Sequence, residues 1–181
     1  MLTGNRGILH DGRTLGARRW THPHWISCTL DWKGTRRTPM SPGTWTELFF
    51  LDEAVALAAG HRPCALCRRP AFRAFQVAWG GAPAPEIDRA LHAARVTPGR
   101  SQRRHLAPAA DLPDGSMILW QDRAHLCQGG RALPFAAAGY GPPVPLPQGP
   151  VTVLTPAPVI AVLRAGYRPV LHPTARGDRQ T

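Results

Sequence analysis

The chain has little lysine. Of its 22 basic residues only Lys33 is lysine, and the rest are arginine. Acidic residues are also few, 11 in all, which leaves a formal charge of +11. No apolar run is long enough to cross a bilayer as a helix, so a membrane location is not expected. The opening Met1-Leu2-Thr3-Gly4-Asn5-Arg6 lacks the apolar core of a secretion signal, and the expectation is a cytoplasmic protein. With 4 cysteines the chain is no disulfide scaffold; in that compartment thiols serve as metal ligands or remain free. There is no internal repeat and no heptad pattern, which excludes solenoids and coiled coils.

The basic excess points to an anionic partner, with nucleic acid first and DNA ahead of RNA. An arginine-rich composition would raise the charge without any such partner, so its distribution matters. Residues 1–80 carry 11 basic and 5 acidic groups, residues 81–105 carry 5 and 2, and residues 106–181 carry 6 and 4. The excess therefore sits in the first half and the stretch that follows it.

That first half is organised around residues 51–69. Asp52 reads as an N-cap with Glu53 in the first helical turn, Gly60 as the C′ residue and Pro63 as a block to resumption. Cys64 and Cys67 then have the spacing with which two thiolates grip one tetrahedral zinc. A second helix runs from Pro70 to about Trp79, with Phe72, Phe75 and Trp79 on one face. A redox pair is the competing reading of Cys64 and Cys67, but the βαβ pattern it needs is missing.

The run Ala-Leu-Ala-Ala-Gly-His-Arg-Pro-Cys-Ala-Leu-Cys-Arg resembles the second half of the zinc domain of Ada-type methylphosphotriester DNA-repair proteins. The family's pattern there is an Ala-rich helix, then Gly-aromatic-Arg-Pro-Cys-x-x-Cys and a basic residue. His61 stands in the aromatic position, and the likeness covers Asp52 to Arg69. In that family an upstream pair of cysteines, three residues apart, completes the site, and His24-x-x-x-Cys28 has that spacing. The resemblance also implies that zinc activates an upstream thiolate, which accepts a methyl group from DNA. Here that position holds His24. The expectation is a related site that does not methylate itself, with Cys28 buried in its strand.

Residues 1–20 read as an irregular arm. Trp25–Leu30 reads as a strand, Lys33-Gly34 as a hairpin turn with 35–38 returning, and Trp45–Phe50 as a buried strand. A short helix is expected over Glu86–Arg95, then a basic stretch from Arg100 to His105 that suits either phosphate contact or a solvated connector. Beyond it, Met117–Trp120, Ala124–Cys127, Arg131–Phe135, Val151–Thr155 and Arg168–His172 read as strands, Pro142–Pro150 as an extended loop, and Pro156–Ala165 as a helix. The fold class is α+β: a zinc-clipped N-terminal half with a short hairpin and two helices, and a small β-rich C-terminal half with one helix. The expected units are an Ada-like zinc domain with its arm (1–80), a basic helix and linker (81–105), a β-rich domain (106–175) and a polar tail (176–181).

The expected zinc ligands are Cys28, Cys64, Cys67 and, by spacing, His24; His22, His61, His125 and Cys127 stay open for the fourth place. Arg36, Arg37, Arg62, Arg68, Arg69, Arg73, Arg103 and Arg104 are the expected nucleic-acid contacts, since arginine forks onto phosphate oxygens. The leading function is a zinc protein contacting DNA, in repair or regulation. The alternatives are a zinc-dependent hydrolase of phosphodiesters, with Asp31 or Glu47 as base, and a structural zinc beside a β domain that binds a protein or small ligand.

Overall fold

The computed structural model describes residues 1–34 and 38–176. In the first half, β1 (Leu2–Asn5), β2 (His10–Asp11), β3 (Thr14–Leu15), β4 (Ile26–Cys28) and β5 (Leu48–Phe50) precede α1 (Glu53–Ala58), β6 (Arg62–Pro63) and α2 (Arg69–Ala78). Next come α3 (Ala84–Arg95), β7 (His105–Pro108), β8 (Met117–Trp120), β9 (Arg123–Gln128), β10 (Arg131–Ala136), β11 (Gly139–Tyr140), β12 (Val144–Pro145), β13 (Pro150–Val153) and α4 (Ala157–Arg164). The architecture is α+β. It combines a mixed four-stranded sheet, ordered β5-β1-β4-β6, with a seven-stranded antiparallel sheet ordered β11-β10-β9-β8-β13-β7, in which β12 also pairs with β10.

The start of the expected N-terminal arm is instead the interior of the first sheet, while β2 and β3 pair with each other in a separate two-stranded sheet. Leu2–Asn5 pairs with β4 on one side and β5 on the other. Gly4 hides this from a propensity reading, because glycine weakens a strand. Its place is set by close approach: a Cβ there would lie 2.4 Å from the Phe50 ring.

The helices follow their end signals. Asp52 Oδ1 accepts from the Val55 amide at 3.0 Å, and Gly60 closes α1 at φ +80° with the His61 amide donating back to Ala56. Pro70 lies in the first turn of α2, which buries Phe72 and Phe75. Lys33 and Gly34 both have positive φ, and the Gly34 amide donates to Asp31 Oδ1 at 3.0 Å, as a turn requires. The returning strand falls largely on residues 35–37, outside the described residues.

In the second sheet, β8, β9 and β10 form a meander. Gln121-Asp122 and Gly129-Gly130 turn it with positive φ at both central residues, the twist that tight hairpins need. Arg168–His172 forms no strand. Its backbone is bonded to α1 instead: Glu53 N–H donates to Val170 O, Val170 N–H to Glu53 Oε2 and His172 N–H to Asp52 Oδ2. One hydrophobic cluster takes Leu57, Phe75, Ile87 and Leu91 together with Ile118, Val153, Val159 and Leu163.

Candidate metal centre

Short parallel pairing places the cysteines. Gly60 turns the chain out of α1, and β6 then lies beside β4, with Arg62 N–H donating to Trp25 O at 3.1 Å and Cys64 N–H to Ser27 O at 3.0 Å. Cys28, at the end of β4, thereby meets the loop that carries Cys64 and Cys67. The three Sγ atoms all lie within 4.8 Å of one another. A tetrahedral zinc with Zn–S bonds of about 2.3 Å holds its sulfurs about 3.8 Å apart, so the donor set fits the ion.

The thiols are electrostatically unequal. A hydrogen bond with the Cys28 thiol draws the Cys64 pKa down to about 5, against burial, and the backbone N–H groups of Cys67 and Leu66 help. Cys28 is pushed up by the same bond, by burial and by the neighbouring cysteine charges. A bound cation would reverse that upward push and favour three thiolates.

His24 does not join them. Its Nδ1 donates to Asp88 Oδ2 at 2.9 Å. The spacing does not bring it beside Cys28, because the chain bends before β4, where Trp25 N–H donates back to Pro23 O. Among the described residues no other His, Cys, Asp or Glu joins the cluster. His61 is buried between Trp25 and Phe50, with ring centroids 5.5 and 4.7 Å away. His22 neighbours the His24 ring, and His125 bonds Arg123 O. Cys127 lies in the core, where burial pushes its thiol up to about 12.

The cysteines open onto a cleft of about 390 Å³. Its wall is one face of the first sheet, read at period two: Thr3 and Asn5 from β1, Ile26 and Cys28 from β4, Glu47 and Phe49 around β5. Trp32 and Trp45 add aromatic surface. Cys28 is therefore half-buried and faces the cleft, contrary to the expectation of a buried thiol. Thr3 Oγ1 and Thr29 Oγ1, also on this wall, are buried without a hydrogen-bond partner among the described residues. Reading residues 45–50 as a buried strand missed the cleft, although Trp45, Glu47 and Phe49 alternate onto one face.

The arginines divide into two groups. Arg62 is buried with its fork on Asp88, Nε to Oδ1 and Nη2 to Oδ2, both at 2.8 Å. Arg68 is buried too, with Nη2 2.7 Å from Glu53 Oε1 and Nη1 donating to Ser27 Oγ at 2.9 Å. Both guanidinium groups are engaged inside the protein. Arg69, Arg73, Arg103 and Arg104 are exposed, while Arg36 and Arg37 lie outside the described residues. Among the described residues no helix is long and apolar enough to cross a membrane. No family model, curated protein or solved structure matches the chain.

Proposed function

We propose that this chain is a zinc–thiolate protein that contacts DNA, and that the cleft over Cys28, Cys64 and Cys67 receives an exposed nucleotide. The observation that carries this reading is that the three thiols open on an aromatic-lined cleft rather than lying sealed in a core. Zinc held there by the three cysteines would supply Lewis acidity at the cleft floor. Trp32, Trp45 and Phe49 offer flat apolar surface on which a base stacks, and the orphaned hydroxyls of Thr3 and Thr29 offer hydrogen bonds to its edge. Arg69 and Arg73 lie in the first half of α2, just after the cysteine loop, and are exposed, so they can bind the phosphate backbone. The likeness of residues 52–69 to Ada-type zinc domains supports the same choice of partner.

A second reading, a zinc-dependent hydrolase of phosphodiesters, is favoured by one observation: Glu47 lines the same cleft as the thiols. A carboxylate there can take or return a proton next to a substrate. The two readings part on turnover.

Zinc-loaded protein, checked by elemental analysis, is titrated with single- and double-stranded DNA at two salt concentrations. Binding in the micromolar range that weakens steeply with salt is expected, with quenching of tryptophan fluorescence that is reduced in W45A. Absence of binding at low ionic strength would sink the proposal. Cleavage of the DNA, lost in E47Q, would transfer support to the hydrolase.

A further inference from the structure

A second cavity, of about 310 Å³, shares no lining residue with the cysteine cleft. Arg6, Arg19, Arg95 and Arg100 line it with Trp20 and Trp25, and among the described residues no Asp or Glu lines it. We infer that this cavity is a binding site for a phosphate group, formed by four arginines around an aromatic wall and independent of the metal.

Two of the arginines are built in. Arg6 and Arg95 each stack on the Trp25 ring, 3.9 Å from its centroid. Arg6 Nη2 donates to Ala59 O at 2.9 Å, Arg95 Nη1 to Gly60 O at 2.7 Å, and Arg95 Nη2 to Pro23 O. Gly60 is required for this, since a Cβ there would lie 2.6 Å from Arg95 Cδ. The braces do not satisfy the group they hold. Arg95 is 1% exposed, yet its Nε is buried without a partner among the described residues. The carboxylate whose charge acts on it, Asp88, already has both oxygens engaged by Arg62 and one also by His24.

The other two arginines complete the site from the surface. Arg19 and Arg100 are exposed, and their side chains make no hydrogen bond or ion pair with described residues. Arg100 sits at a turn tip with φ +62°, an uncommon conformation for a residue with a Cβ, and its amide bonds Thr97 O. Arg19 presses its charge on Arg6. Burial first, then the Arg19 charge, lowers Arg6 to about 10; burial lowers Arg95 to about 9, with the Arg6 and Arg62 charges adding to it and Asp88 only partly offsetting it. A dianionic phosphate offers acceptors in several directions at once and neutralises that crowding of like charges. A simple structural brace would need neither Arg19 nor Arg100.

The test titrates inorganic phosphate into the whole zinc-loaded protein by calorimetry, with chloride holding the ionic strength constant. Saturable binding of one phosphate per chain is expected, weakened roughly tenfold or more in an R19A/R100A variant. Their side chains make no hydrogen bond or ion pair with described residues and alanine keeps the backbone bond of Arg100, so the variant's melting temperature and zinc content should match the parent. W45A, altered in the other cleft, should bind phosphate as the parent does, so a failure of the DNA reading leaves this result intact. Displacement of phosphate by a 5′-phosphorylated oligonucleotide, and not by its 5′-hydroxyl form, would assign the group to a nucleic-acid end; without displacement the occupant is a small phosphate. No saturable phosphate binding, or equal binding in R19A/R100A, overturns the inference.

Discussion

Asp88 serves three donors from a site only 3% exposed in its side chain: both arms of the Arg62 fork and His24 Nδ1. Removing the carboxylate would strand a buried guanidinium beside the cysteine loop. Asp88→Ala should therefore destabilise the protein by about 3–5 kcal/mol in denaturant melts, well beyond the loss for an exposed pair. His61 gives a second residue-scale expectation. Burial first, then the Arg6 and Arg95 charges, hold its pKa well below 6.5, so the folded chain keeps it neutral. The unfolded chain takes up a proton as pH falls through about 6.5, and the folded one does not. The contribution is thus complete above that value and declines below it, by at most about 1.4 kcal/mol per pH unit. Denaturant melts between about pH 7 and pH 5 should show a shallower decline in His61→Phe than in the parent; identical slopes would remove His61 from the account.

At the scale of elements, the first turn of α1 links the two halves of the chain. Asp52 accepts from the Val55 amide, the Tyr140 hydroxyl and the His172 amide; Glu53 accepts from Arg68, the Tyr167 hydroxyl and the Val170 amide. A cap read only as helix punctuation understates both residues. Glu53→Gln leaves Arg68 buried without a counter-charge and should cost about 3 kcal/mol, whereas Tyr167→Phe should cost about 1 kcal/mol. Combining the two should give less than their sum, because both act on one carboxylate. This network also explains what the sequence could not disclose. The α1 cap, the Gly60 stop and the Cys64–Cys67 clip were legible because each signal is local. Residues 168–172 read as a strand because Val170 and Leu171 have strand composition, but their partner is a helix N-terminus far away in the chain. β1 and the cleft were hidden for a related reason. Three- or four-residue strands show too little alternation to reveal a face, and Gly4 is explained only by Phe50 lying against it.

At the scale of the whole molecule, the net charge of +11 narrows to a smaller usable surface. Arg62 and Arg68 balance Asp88 and Glu53 inside the fold, so truncating them would report stability rather than binding. The expected nucleic-acid contacts then divide, among the described residues, into Arg69 and Arg73 near the cysteine loop and Arg103 and Arg104 before β7. Each phosphate contact contributes about 0.9 to the slope of log affinity against log salt on duplex DNA, so the slope counts contacts as well as affinity. If DNA lies across the cleft, R69A/R73A should weaken binding and flatten that slope by up to about 1.8, with zinc content and melting temperature unchanged because both side chains are exposed. R103A/R104A should do the same only if the DNA path extends past the cleft to β7. Fluorescence anisotropy over a salt series measures both variants on one DNA. A parent slope retained in R69A/R73A would take the DNA away from the cysteine cleft, and with it the assignment of the cleft to a nucleotide.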